Sequence, residues 1–213
     1  MSYYFSHFSQ FCHSIAKHGL VQASSGNFSV IDMERKTYAI TPTGAWLEEV
    51  QDPVICDAKT GLAERGKPSS ENNLHRAIYD IRPDVRAILH CQPLYTTLLC
   101  VTEICRCNEL DIIPEFAAYC GDVFHVPYAH PGSQELVDAV TSLMKNTEIV
   151  IVLAENHGVF AVASSPEVLI QRCIFLEFAS QLIYLAHGVQ NGSETNSISP
   201  DQIARLKSEF FKV

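Results

Sequence analysis

Apolar side chains at Phe5, Phe8, Phe11, Cys12 and Ile15 recur at spacings of three and four, which predicts an amphipathic helix over residues 4–18 that stops at Gly19. Three short extended pieces are expected next, at 27–31, 37–41 and 54–57. A polar turn at 32–36 separates the first two, and Gly61 and Gly66 mark later turns. Leu74, Ile78 and Ile81 carry the following helical period, with Ser69 or Ser70 expected as its N-cap and Pro83 limiting its far end. A strand at 85–91, a helix at 93–104 and a short strand at 123–126 come after it. The helix at 133–145 turns Leu136, Val137, Val140 and Met144 inward. Residues 149–154 are uniformly apolar, as in a buried strand, and 158–163 read as its hairpin partner. Pro166 opens a long helix to Ala186 that is expected to end at Gly188. Residues 190–199, rich in Asn, Ser and Gly, read as a linker before a terminal helix at 200–212. Helices and strands interleave, but hairpin signals outweigh regular strand–helix–strand units. The expected fold is α/β, a layered domain with a central, mainly antiparallel sheet flanked by helices. Residues 1–190 should form one domain, and 191–213 a linker and C-terminal helix.

Composition narrows the class. The chain has 213 residues, 47% hydrophobic and 18% charged, enough for one domain with a sizeable core. A net charge of −9 argues against nucleic-acid binding, which needs a basic face. An anionic small molecule remains compatible, because a metal ion and backbone N–H groups can make a local positive site. Eight cysteines show no framework spacing and no C-x-x-C pair, so reduced thiols and a cytoplasmic setting are expected. The start, MSYYFSHFSQF, lacks the basic and apolar regions of a signal peptide. Neither apolar window is expected to span a membrane: 149–154 is too short, and 168–186 carries Gln171, Arg172, Glu177 and Gln181.

Three polar segments stand out in so apolar a chain: Ser24-Ser25-Gly26-Asn27, Thr41-Pro42-Thr43-Gly44 and Ser69-Ser70-Glu71. Each joins small hydroxyl residues to a glycine or a helix start, the means by which neutral donors cradle an anion. Each alone is as readily a turn or a cap. His90-Cys91-Gln92 lies at a strand end, where alternation puts His90 and Gln92 on one face and Cys91 on the other. A lone histidine there is also a common structural residue. Glu155-Asn156-His157-Gly158 follows a buried strand, with a glycine that permits close backbone approach. That is a position for a ligand or for a turn histidine.

In order, these segments resemble the L-fuculose-phosphate aldolase family of the class II aldolase/adducin-like superfamily. The resemblance rests on SSGNFS from Ser24, ITPTG from Ile40, PSSENNLHRAIYDIRPDV from Pro68, VPYAHPGSQEL from Val126, HCQP from His90 and ENHG from Glu155, over residues 11–185. It implies that Ser24, Asn27, Thr43, Gly44, Ser69 and Ser70 hold a substrate phosphate, that Glu71 is the general acid/base, and that His90 and His157 are metal ligands. It implies a divalent metal, zinc foremost, a small sugar phosphate as substrate, reversible aldol cleavage, and a homo-oligomer, typically a tetramer. The apolar residues of the first helix and Phe175 and Phe178 suit either such an interface or ordinary core.

Gln92 departs from the family pattern, standing where a third histidine ligand belongs. An amide oxygen binds zinc less well than imidazole, with a loss on the scale of about 10–100-fold or more. Either Gln92 ligates and favours a harder ion, or the metal is weakly held or absent. Cys91 faces away, whereas His125, His130 and Glu115 lie outside the matched positions but within possible reach. Three functions remain open: a metal-dependent aldolase-type lyase, a dehydratase or epimerase of the same superfamily, and an inactive binding or scaffold member like the adducin branch. Glu71 speaks against the epimerase branch, which usually has aspartate there.

Overall fold

The computed structural model describes residues 3–32, 34–102, 110–189 and 196–211. Cys105, Cys107, the predicted helix end at Ile104, and most of the 190–199 linker lie outside the described residues.

The first predicted helix is two: α1 (Tyr3–Ser6) and α2 (Phe8–Lys17). The break falls at His7, where the Ser6 hydroxyl (2.8 Å) and His7 Nδ1 (2.9 Å) both reach the Tyr3 carbonyl and compete with the helical ladder. Strands β1 (Asn27–Ile31), β2 (Thr37–Ile40) and β3 (Val54–Asp57) follow, then α3 (Asn72–Ile81) and β4 (Ala87–Cys91). After them come α4 (Leu94–Val101), α5 (Pro114–Tyr119), β5 (Val123–Val126), α6 (Gln134–Met144), β6 (Ile151–Ala154) and β7 (Gly158–Ala163). Helices α7 (Pro166–Val189) and α8 (Pro200–Phe210) complete the chain. The short helix α5 was not anticipated, because six residues hold too little periodicity to register. Gly188 does not stop α7; it lacks the positive φ of a glycine cap, and the helix continues to Val189.

The strands form one seven-stranded sheet in the order β3-β2-β1-β4-β7-β6-β5. Every pair is antiparallel except β5–β6, whose connection passes through α6. β1, β4, β6 and β7 are buried throughout, which explains the unbroken apolar runs of β6 and β7; β1 and β4 also bury the polar Asn27, Ser29 and His90. Among the described residues, α7 is long and apolar enough to cross a membrane by length and composition. Here it packs against β4, β7, α2, α4 and α5. Its buried Arg172 donates to the carbonyls of Tyr119 and Val162.

Two features of the sheet place the site. The free Cys91 thiol makes a hydrogen bond with the thiol of Cys173 on α7, so His90, one residue earlier, projects from the opposite face. Asn27 of β1 lies directly across from His90 in the β1–β4 register. The start of α3 and the β6–β7 turn close over that same point.

Candidate active site

Backbone hydrogen bonds stitch the polar segments together. Thr41 N donates to Phe28 O (3.0 Å), Phe28 N to Thr41 Oγ1 (3.2 Å), and Ser69 N to Thr41 O (3.0 Å). Gly26 has φ +80°, and a Cβ there would lie 2.7 Å from the His90 carbonyl, so only glycine lets this turn run against β4. Ser69 and Ser70 are not the N-cap of α3; Glu71 occupies that position. Ser69 instead accepts from the Glu71 amide at 3.3 Å, tightening the turn before the helix. The Glu71 carboxylate makes no cap bond and is free to turn inward.

His157 is placed by a three-residue hairpin loop between the paired Ala154 and Gly158. Asn156 supplies the left-handed residue at φ 52°, and its amide donates to Cys100 O (2.8 Å). Gly158 sits at φ +150°. A Cβ there would meet the Cys91 carbonyl at 2.7 Å, Gln92 Cγ at 2.8 Å and His90 Cε1 at 3.2 Å. Two side chains of the β4 end thus lie directly over the residue that follows His157.

At the centre, Glu71, His90 and His157 are buried, and one ligand atom from each lies within 4.8 Å of the others. Glu71 Oε1 is 3.3 Å from His157 Nε2, and Oε2 is 3.7 Å from His90 Nε2. Asn27 Nδ2 donates to Glu71 Oε2 at 2.9 Å. Burial pushes the Glu71 pKa up, but His90, His157 and the Asn27 amide pull it down further, and the group is held well below the usual carboxylate range. Burial also lowers the His90 pKa, which keeps its imidazole neutral. Its Nδ1 donates to Val159 O (2.9 Å), leaving the Nε2 lone pair aimed at the cluster. Glu71 Oε1 and Asn27 Oδ1 are buried with no hydrogen-bond partner. Unsatisfied buried acceptors beside two imidazoles are what a divalent cation would complete, so the donor set fits a metal.

The three residues form the floor of an open cleft of about 360 Å³. Ser24, Asn27, Gly44, Ser69, Ser70 and Gln92 line it as well. Thr43 does not: it is exposed, with its amide bonded to Lys67 O at 3.1 Å. His125, His130 and Glu115 lie off the cleft wall; Glu115 is exposed on α5, and His130 Nδ1 bonds to Pro131 O. The wall also includes Gly26, Pro42, Tyr128, Pro131 and Asn156, to which sequence reasoning gave no role. Tyr128 and Pro131 stand in the VPYAHPG segment, so its resemblance to a family pattern was the signal available. Among the described residues no lysine or arginine lines the cleft, and the donors on its wall are neutral.

The model of the Class II Aldolase and Adducin N-terminal domain matches residues 6–184. The chain belongs to the class II aldolase/adducin family. Among curated relatives of this class II aldolase, the L-fuculose phosphate aldolase of Methanococcus maripaludis (strain C5) is 27% identical over 186 residues, covering 86% of this chain and 97% of that protein. The 5-deoxy-D-ribulose 1-phosphate aldolase of Bacillus thuringiensis is 28% identical over 196 residues, covering 90% and 88%. The crystal structure of YgbL from Klebsiella pneumoniae superposes with a TM-score of 0.85 at 27% identity, covering 97% of this chain and 99% of that one. Class II aldolases depend on a metal ion, and the buried Glu71, His90 and His157 form a group able to hold one.

Proposed function

We propose that this class II aldolase is a metal-dependent carbon–carbon lyase acting on a small phosphorylated sugar or a related anion. The observation that supports it most is the convergence of Glu71, His90 and His157 at the base of a cleft walled by neutral donors. The relatives named for L-fuculose phosphate and 5-deoxy-D-ribulose 1-phosphate support the substrate class. His90 and His157, with Gln92 beside them, would hold the ion, and zinc is the ion the family resemblance implies. A bound divalent ion supplies Lewis acidity that polarises a carbonyl oxygen.

The chain's own residues do the rest. Ser24, Asn27, Ser69, Ser70 and the backbone at Gly44 would bind and orient the phosphate through neutral hydrogen bonds, which fixes the sugar through neutral donors. Glu71, ionised and facing both imidazoles, is the group to move the proton. A proton leaves the hydroxyl β to the carbonyl, and the Cα–Cβ bond breaks. The electron pair passes onto the carbonyl oxygen, an aldehyde departs, and a proton returns to Cα.

Aldehyde release from L-fuculose 1-phosphate and from 5-deoxy-D-ribulose 1-phosphate, measured with added zinc or manganese, tests this reading. Metal-dependent aldehyde formation is expected from at least one of the two. No aldehyde from either with any divalent ion would overturn it.

A further inference from the structure

The centre holds two imidazoles and one carboxylate, and among the described residues no third histidine lines the cleft. The side chain next to them is Gln92. Its position is built into the fold: its backbone N–H donates to Leu20 O at 3.1 Å, and the helix that begins two residues later is clamped from α7. That clamp is Glu177, whose carboxylate accepts from the amides of Tyr95 (2.9 Å) and Thr96 (2.8 Å) and from the Thr96 hydroxyl (2.7 Å). The missing Cβ of Gly158 leaves the space into which Gln92 Cγ and the His90 ring both pack, beside His157. Gln92 thereby lines the same cleft as the two imidazoles.

We propose that Gln92 sets the ion preference of this site, shifting it from zinc towards a harder, higher-coordinate divalent ion such as manganese or iron(II). The inference rests on the proposed reading of the cleft as a divalent-ion centre. Closed zinc sites are four-coordinate and rich in nitrogen or sulfur donors. Two histidines with one carboxylate and further open positions are the donor pattern of iron(II) sites, and oxygen-rich octahedral shells suit manganese. An amide oxygen at Gln92 makes the available set two nitrogens and two oxygens, with room for substrate oxygens to fill out a larger shell. Zinc still outranks manganese in the general affinity order for any such site. What Gln92 changes is the gap between them.

Equilibrium competition against a metal-binding indicator, on the full chain stripped of metal, gives dissociation constants for manganese and zinc separately. Gln92→His should tighten zinc by about 10–100-fold, on the scale of lost or gained metal-shell partners, and move manganese by much less. Gln92→Ala should weaken manganese by about tenfold on the same scale. The cobalt(II)-loaded protein should show the weak visible bands of a five- or six-coordinate ion, and Gln92→His the intense bands of a four-coordinate one. Equal shifts of both ions in Gln92→His, or unchanged manganese affinity in Gln92→Ala, would overturn the proposal; the alanine variant decides it alone if the histidine variant does not fold. Turnover is read separately. A changed ion preference without aldehyde release sinks the lyase reading only, and aldehyde release with unchanged preference sinks only the role given to Gln92.

Discussion

Glu71 occupies the N-cap of α3, where an acidic side chain ordinarily accepts from the first free amides of the helix. Here it makes no such bond and faces His90, His157 and the Asn27 amide instead. A fold that forgoes a cap worth about 1 kcal/mol keeps that carboxylate for another purpose. Glu71→Gln retains the shape and an acceptor for Asn27, but removes the base. The aldehyde-release rate should fall by about 10²–10⁴-fold, the usual contribution of a general acid/base, while the far-ultraviolet circular dichroism stays that of the parent. A variant that cleaves at the parental rate would remove Glu71 from the reaction. Glu71, His90 and His157 were singled out through the family resemblance carried by PSSENNLH, HCQP and ENHG, since local pattern alone left each as readily a cap, a structural histidine or a turn residue; the structure brings the three together. Tyr128 and Asn156 were not given roles. Nothing in their local sequence tells that a long connection and a left-handed turn bring them to the same cleft.

Strands β4 and β7 carry the site as a unit. Five residue pairs join them, ending at Cys91↔Val159, and the last turn before β7 presents His157. Gly158 is the residue on which this joint depends, at φ +150° and with the Cys91 carbonyl 2.7 Å from where a Cβ would stand. Gly158→Ala forces β4 and the turn apart, because the obstruction is backbone that cannot rotate away. Strained backbone of this kind costs about 1–3 kcal/mol, and for a chain of this size each kcal/mol lowers the melting temperature by about 2–4 °C. Calorimetry should show a drop of that order together with weaker metal binding; a melting temperature within a degree of the parent would contradict the close approach. Strands β1, β3, β5 and β7 match their expected bounds, the fully buried β7 through its continuous apolar run and the others through short apolar stretches set between turn residues. The order of the strands was not. β1 pairs with β4 across a gap that holds two strands and a helix, and the parallel β5–β6 pair reads locally as nothing more than two short apolar runs.

At the scale of the molecule, the three donors come from the start of α3, the end of β4 and the β6–β7 turn, so they are far apart in sequence and held together only by the folded sheet. The unfolded chain cannot present them as one site. An ion that binds the native state and not the unfolded one stabilises it by RT ln(1 + [L]/Kd), about 2.7 kcal/mol when the ion is at 100 times its dissociation constant. At about 2–4 °C per kcal/mol, removing the ion with a chelator should lower the melting temperature by roughly 5–11 °C, and restoring it should return the full shift. The size of the effect grows with the logarithm of ion concentration, which separates site binding from a general salt effect. Glu71→Gln should diminish that dependence, since it replaces the buried anion of the cluster with a neutral amide. A melting temperature indifferent to both chelator and added ion would mean that the two imidazoles and the carboxylate, though gathered in one place, do not hold a metal.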